Sequence, residues 1–403
     1  MIKIAVLGYG TVGSGVVEVL ETNRDIITPR AGEEIEVKYV LDLRDFPGNP
    51  IQDRIVHDYD VILKDEEIRI VVEVMGGMEP ALTYTKQAMM AGKSVATSNK
   101  ELVAAHGAEL IALARQQNVN YMFEASVGGG IPIIRPLNES LTPEDLLEIT
   151  GILNGTTNYM LTRMSEDGLD YDEVLKDAQA NGFAERNPKA DVEGLDACRK
   201  LAILTSLSYG KNVDPKDIYT EGITKITDMD FKYANQLGVV IKLLSTCKKE
   251  NGKVYAAVFP EMIDSESPLY SVDDVFNAIY VKGNMLGPAM FYGQGAGKRP
   301  TASAVVSDVI EEARHLNENL RVVWSSEKLE LADIKEASHR FFVRISGDPD
   351  QKGNRVRDLF GHVPFVQVTK GEFGFVTDEM KEKYFDEKAK KLDGVLTRIR
   401  GNF

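Results

Sequence analysis

Apolar and polar positions alternate between two periods along the first third of the chain. Lys3-Ile-Ala-Val-Leu-Gly8 is a short apolar run, and Val12 to Leu20 carries helical spacing. Val37 to Leu41, Ile70 to Met75, Ser94 to Thr97 and Val119 to Phe123 repeat the strand signature, with helical stretches Ala81 to Ala91 and Lys100 to Gln116 between them. Strands that alternate with helices predict a doubly wound parallel sheet, an α/β fold of the Rossmann type. Gly128-Gly-Gly-Ile-Pro132 breaks both patterns and marks the end of this region.

From Ile131 to Glu330 the pattern is mixed. Thr142-Pro-Glu-Asp reads as a capped helix start, with proline at its first position and acids in its first turn. A strand, Leu147 to Leu153, follows, then the polar segment Asn154 to Asn158 as a loop, then a helix. Further strands are expected at Val254 to Phe259 and Ala278 to Lys282, giving a central α+β domain. Gly293-Gln-Gly-Ala-Gly297 and a helix over Thr301 to His315 return the chain to the first domain.

The last stretch reads βαββαβ: strand His339 to Ser346, helix Gly353 to Phe360, strands Phe365 to Thr369 and Glu372 to Thr377, helix Lys381 to Leu392, strand Val395 to Arg400. That order is ferredoxin-like. The expected division is therefore a dinucleotide-binding domain over 1–130, completed near 293–325, a substrate domain over 131–330 and a regulatory or assembly module over 338–403.

A length of 403 residues fits such a multidomain plan, and 43% hydrophobic content is enough for real cores. The formal net charge of −15 disfavours nucleic acid and anionic membrane as partners. Two cysteines, Cys198 and Cys247, without metal spacing suit a reduced cytoplasmic setting rather than a disulfide scaffold. Neither a leader peptide nor a membrane span is expected.

Gly8-Tyr-Gly10-Thr-Val-Gly13 is a G-x-G-x-x-G that follows a strand and opens a helix. Gly8 permits the turn, Gly10 lets the backbone approach a pyrophosphate, and Gly13 packs helix on strand. Thr11 and Val12 open the helix whose N-terminus faces the phosphates. Asp42, in Val40-Leu-Asp-Leu-Arg44, is placed for the adenosine ribose, and its carboxylate favours NAD. Arg44 beside it suits the 2′-phosphate of NADP, so the preference is a lean toward NAD. Thr97-Ser-Asn-Lys100 ends a strand and starts a helix, which directs Asn99 and Lys100 at the reactive end of the cofactor. Glu124-Ala-Ser-Val-Gly-Gly-Gly130 offers backbone carbonyls and a carboxylate to a hard cation, although glycines at a domain boundary account for it equally well.

The segment 182–200, GFAERNPKADVEGLDACRK, gathers Glu185, Asp191 and Asp196 with Lys200. Asp196 and Lys200 are i and i+4 on one helical face. Acids that hold an amino group beside a lysine that transfers a proton make a small-molecule site; the plainer alternative is a surface ion pair.

Together these motifs resemble homoserine dehydrogenase of the long form, with a C-terminal ACT domain. The resemblance spans nearly the whole chain, through GYGTVG, residues 97–104 (TSNKELVA), 123–137 (FEASVGGGIPIIRPL), 151–161 (GILNGTTNYML), 182–200 and 293–308 (GQGAGKRPTASAVVSD). It implies Lys200 as general acid/base and Lys100 as a second lysine near substrate and nicotinamide. Glu185, Asp191 and Asp196 would hold homoserine, the first two at its ammonium. Gly182 and Gly297 would line the cofactor. Glu124 with the backbone of Val127, Gly129 and Ile131 would form a monovalent-cation site for Na+ or K+. The implied activity is reversible NAD(P)-dependent reduction of aspartate 4-semialdehyde to L-homoserine, in threonine, methionine and isoleucine biosynthesis, by a homodimer or homotetramer.

Two departures stand out. Family members that favour NADP often carry valine-arginine where this chain has Asp42-Leu43. The tail reads Ser346-Gly-Asp-Pro-Asp-Gln-Lys-Gly353, without the Asp-x-Pro-Gly loop of effector-binding ACT domains. Two rivals remain at this level. A thiol-dependent aldehyde dehydrogenase needs a reactive cysteine, whereas Cys198 looks buried. A catalytically silent dinucleotide or amino-acid sensor would work through its tail. In the enzyme the tail is expected to pair between subunits, so that removing it after about Leu331 lowers assembly while sparing activity.

Overall fold

The structure, a computed structural model, describes residues 1–403. Two compact units emerge, one of Met1–Asp145, Ala202–Pro215 and Phe291–Leu329, the other of Leu146–Leu201, Lys216–Met290 and Glu330–Phe403.

In the first unit six strands, β1 (Ile2–Leu7), β2 (Ile35–Leu41), β3 (Ile55–Val56), β4 (Ile68–Glu73), β5 (Ser94–Thr97) and β6 (Tyr121–Met122), form one sheet in the order β3-β2-β1-β4-β5-β6. Every pairing in it is parallel. This is the doubly wound topology, with the order reversing beside β1, where such folds take their ligands. β1 and β4 are apolar nearly throughout because helices cover both faces. The returning helix Lys298–Arg314 lies against helix Thr11–Thr22 so closely that a Cβ on Gly15 would meet Ala302 Cβ and Lys298 O at 2.9 Å. Lys298 and Arg299 both bond Glu18 across that contact, at 2.7 and 2.9 Å.

One expectation fails at the end of this unit. Thr142-Pro-Glu-Asp starts no helix; it is a turn in which the Thr142 hydroxyl donates back to Glu139 O at 2.7 Å. The following apolar residues belong to a strand that starts at Leu146, so no helical face exists for the cap to serve.

The second unit is built on a mixed sheet. Its strands are β7 (Leu146–Ile152), β8 (Tyr219–Thr220), β9 (Val240–Glu250), β10 (Lys253–Ile263), β11 (Phe276–Gly283), β12 (Gly287–Gln294), β13 (Ser338–Ser346), β14 (Phe365–Val366), β15 (Glu372–Val376), β16 (Met380–Lys381) and β17 (Val395–Asn402). The main order is β12-β11-β7-β9-β10-β17-β13-β15-β14. β9 and β10 form a hairpin closed by Asn251-Gly252, both at positive φ, 50° and 76°. That is the Asn-Gly turn whose twist suits paired strands.

With the two-residue β16 set aside as a pairing on β13, the tail supplies β17-β13-β15-β14, the fourth, first, third and second of its remaining strands, the ferredoxin-like order. Its core stacks Phe341 on Phe385 at 3.9 Å, with Val343, Ile345, Val356, Phe360, Phe373 and Phe375 around them. β17 pairs in parallel with β10, Glu261 opposite Arg400 and Ile263 opposite Asn402. The sheet is therefore continuous from β7 into the tail, and one tail edge is filled by the chain's own β10. Arg400, 1% exposed, donates to both oxygens of Glu382 at 2.9 and 2.7 Å and to Glu221 at 3.1 Å. Its guanidinium also lies 4.2 Å from the Phe259 ring centroid. Burial of this cluster and the pairing of β17 with β10 tie the tail to the strands before it in the same chain.

Candidate active site

The nucleotide-binding corner of the first unit is made largely of backbone. Gly8 has φ +97°, and a Cβ on Gly13 would stand 1.9 Å from Gly8 O, so the turn admits no side chain at either position. A Cβ on Gly10 would meet nothing within 4 Å, which leaves that backbone open to a large ligand. Helix Thr11–Thr22 has no side-chain cap and no acid in its first turn, so the N–H groups of Thr11, Val12 and Gly13 keep their positive end for phosphates. These features fit a dinucleotide.

Asp42 stands at the end of β2. Its carboxylate accepts the Tyr9 N–H at 2.9 Å and holds Arg44 through Nε and Nη2, both at 3.0 Å. The guanidinium holds the Asp42 carboxyl well below the usual range. His57 Nδ1 lies 2.7 Å from Asp42 O, fastening the same corner. Thus the ribose-side acid and the arginine are one ion pair.

At the carboxyl ends of β4 and β5, Asn99 caps helix Lys100–Gln117 by accepting the Leu102 N–H at 3.1 Å. Its amide donates to Gly77 O at 2.7 Å, so Asn99 joins two loops rather than presenting its side chain to a ligand. Behind it Thr97 Oγ1 donates to buried Glu73 at 2.7 Å, and Glu73 accepts the Met75 N–H at 2.9 Å. Burial pushes the Glu73 carboxyl up. Glu73 was missed in the sequence because it ends a strand that is otherwise apolar. Lys100 follows the cap and is half-buried at the helix start.

Glu124 requires a correction. Its carboxylate does not face outward as a cation ligand; it accepts the N–H groups of Ile133, Ile134 and Arg135 at 2.5, 2.8 and 2.8 Å. Those are the unpaired donors of the short helix Ile134–Asn138, which a buried anion satisfies. Gly129, at φ +55°, has Gly295 O only 2.4 Å from where a Cβ would lie, so these loops need glycine for close approach. Asp308 accepts the Glu124 N–H at 2.8 Å and pairs with Arg135 at 2.9 Å. Burial and the Glu124 charge push its carboxyl up to about 8. One turn on, Glu312 is fully buried with neither oxygen hydrogen-bonded, and burial raises its carboxyl well above the usual range.

The chemistry expected of segment 182–200 meets in the second unit. Helix Leu195–Tyr209 carries Asp196 and Lys200, joined at 2.8 Å with side chains 4% and 10% exposed. This is a buried pair, not the surface bridge that the spacing also allowed. Lys200 Nζ donates to Leu153 O at 2.7 Å, at the end of β7. Asn154, the next residue, caps helix Gly155–Glu166 rather than lying in a loop, and its Nδ2 reaches Asp191 at 2.7 Å and Asp196 at 2.9 Å. Asp191 sits on the short helix Lys189–Val192, which Gly222 approaches so closely that a Cβ there would be 2.0 Å from Val192 O. Glu185 is exposed on the loop after helix Tyr171–Ala180, where Gln179 holds its backbone O at 3.0 Å. Gly182, at φ +75°, turns the chain into that loop. Gly297 caps helix Lys298–Arg314 at φ +113°. Cys198 is buried. Asn154 was not read as part of the site, although an Asn placed before a helix start is a capping signal.

A doubly wound sheet with a backbone-made phosphate corner, and a buried lysine among carboxylates, define an NAD(P)-dependent oxidoreductase. Residues 8–124 match the NAD-binding domain of homoserine dehydrogenase and residues 132–310 match homoserine dehydrogenase itself. The chain belongs to the homoserine dehydrogenase family. It is 42% identical to homoserine dehydrogenase of Bacillus subtilis over 78% of this chain and 73% of that one. It is 43% identical to that of Synechocystis over 86% and 79%. The crystal structure of a homoserine dehydrogenase from Thiobacillus denitrificans superposes with a TM-score of 0.92 at 35% identity, covering 100% and 98%. These matches support the enzyme and give no support to a silent sensor.

Proposed function

We propose that this protein interconverts L-aspartate 4-semialdehyde and L-homoserine with a nicotinamide dinucleotide, in amino-acid biosynthesis. The observation that carries the reading is the buried Lys200–Asp196 pair, joined through Asn154 to Asp191. The bound dinucleotide supplies or accepts the hydride at C4. Lys200 transfers the proton to or from the C4 oxygen, a role suited to an ammonium already aligned by a carboxylate and a carbonyl. Lys100 steadies charge that develops on that oxygen. Asp191 and Glu185 hold the substrate ammonium, while Asp196 orients Lys200 and bounds the same pocket.

The cofactor lean is to NAD. A 2′-phosphate entering beside Asp42 meets a carboxylate, and it must compete with that carboxylate for Arg44. For a monovalent cation, the backbone carbonyls of Glu124, Val127, Gly129 and Ile131 are the ligands proposed, without the Glu124 carboxylate. No helix is long and apolar enough to cross a membrane. A cytoplasmic homodimer or homotetramer completes the proposal. Initial rates of homoserine oxidation with NAD and NADP, with and without Na+ or K+, test it; absence of turnover under all four conditions sinks it.

A further inference from the structure

We propose that Asn154 is a positioning residue for proton transfer: its amide holds Asp191 and Asp196 apart and aims Asp196 at Lys200. The proposal rests on Lys200 as the proton-transfer group and extends that reading to a residue outside segment 182–200.

Asn154 is 6% exposed, and all its named partners are in place. Oδ1 accepts the Thr157 N–H at 2.8 Å and the Thr157 hydroxyl at 3.0 Å. Nδ2 donates one hydrogen to Asp191 Oδ1 at 2.7 Å and the other to Asp196 Oδ2 at 2.9 Å. The amide cannot be flipped, since a flip would set its oxygen against two carboxylates and its NH2 against an N–H. The same Asp196 oxygen lies 2.8 Å from Lys200 Nζ, which also donates to the carbonyl of Leu153, the residue before Asn154.

Capping accounts for only half of these bonds. Helix Gly155–Glu166 needs one acceptor at its start, and Ser or Asp supplies that as well. Neither offers two outward N–H donors. Two carboxylates converge on this one amide, and its two N–H donors offset their mutual repulsion alongside the Lys200 ammonium at Asp196. An NH2 group does this without adding charge.

Cap-competent variants therefore separate the roles. Asn154→Ser keeps the cap and removes the bridge. Asn154→Asp keeps the cap and adds a third carboxylate, which retains protons on the network. Homoserine oxidation is followed from pH 6 to 10 at saturating cofactor for both, with Lys200→Ala alongside and thermal melting as the fold control. We expect Asn154→Ser to lower kcat on the order of 10–100-fold, as loss of an outer partner does for metal ligands. We expect Asn154→Asp to move the limb on which rate rises with pH upward by about one unit. Cofactor KM should hold in both. Wild-type kcat and an unmoved limb in both variants, with Lys200→Ala inactive, overturn the positioning role and leave Lys200 in place. Near-wild-type turnover of Lys200→Ala overturns the reading beneath it.

Discussion

The two units manage buried charge in opposite ways. In the second, buried ions come matched: Lys200 with Asp196, Arg400 with Glu382, Arg344 with Asp230 at 3.0 Å, and Lys242 with Asp273 at 2.7 Å. In the first, carboxyls gather with few cations. Glu73 has only neutral donors, Glu124 has three backbone N–H groups, Arg135 serves Asp308, and Glu312 has no hydrogen bond. The phosphate corner of the first unit is backbone, and Lys100, the cation this unit lends to the chemistry, is only half-buried. The second does proton transfer with side chains and holds most of its buried charges by a counterpart; Glu261, whose carboxyl burial pushes up to about 7, is the exception. Breaking a pair should therefore harm the second unit, whereas deleting Glu312, the acid without a hydrogen bond, should help the first.

The largest effect should come from Lys200→Ala. If the proton passes through this amine, kcat falls by about 10²–10⁴-fold while cofactor binding holds, since the amine acts in the transition state. Fluorescence titration with the reduced cofactor separates the two. A proportionate loss of cofactor affinity would instead make Lys200 a binding residue.

Next comes Arg400→Met. Removing Arg400 leaves Glu382, 2% exposed, with Arg398 at 3.6 Å as its remaining cation, so the cost should lie near the lower end for a broken buried pair, about 3 kcal/mol. Adding Glu382→Met should recover part of this, because a buried pair is worth less than its broken half costs. The same contacts revise the truncation after Leu331. It strips β17 from β10 and Arg400 from Glu221, so the shortened protein should lose stability and activity together. Urea melts and residual activity decide this; an active, equally stable core would return the tail to a separable module.

Glu312→Met sets the opposite sign for the first unit. The carboxyl is raised by burial, so the unfolded chain releases its proton at lower pH than the folded one does. Stability then falls as pH rises from the ordinary glutamate value, about 4.3. The variant should gain roughly 1–3 kcal/mol, more at pH 8 than at pH 5. Destabilisation at both pH values would mean that Glu312 is satisfied in solution by a partner that a methionine cannot replace.

How far the sequence can be read differs between the units for the same reason. Gly8, Gly10 and Gly13 announce a backbone geometry that only glycine permits, and apolar runs announce buried parallel strands, so the first sheet was legible nearly whole. Only the two-residue β3 escaped, being too short for any period. In the second unit β9 went unread although Asn251-Gly252 signals its hairpin, because Lys242, Ser245 and Thr246 interrupt its apolar pattern. Lys242 is buried with Asp273 as its partner, a long-range fact without a local trace. The spacing of Asp196 and Lys200 was visible, but their burial and their link to Asn154 depend on β7 arriving beside that helix. Glu124 failed for a similar reason, since a carboxylate beside glycines looks like a ligand until a helix N-terminus is found at its oxygens.

The smallest effect expected is at the ribose corner, where the comparison is closest to balance. Asp42 is the one acid of the first unit with an arginine fork, and Arg44 is 62% exposed while Asp42 is 9% exposed. Removing the acid should hurt modestly, through the Tyr9 N–H, and redirect the freed arginine. Asp42→Ala should shift the ratio of kcat/KM from NAD toward NADP by roughly fivefold, the scale of about 1 kcal/mol for a solvent-screened charge. Arg44 is the agent of that shift, so Asp42→Ala combined with Arg44→Ala should lose most of it. High salt should shrink it as well, because the pair is screened. If the single variant leaves the ratio unchanged, the 2′-position is read by another residue. If the double variant keeps the full shift, relief of repulsion from Asp42, and not attraction to Arg44, sets the preference.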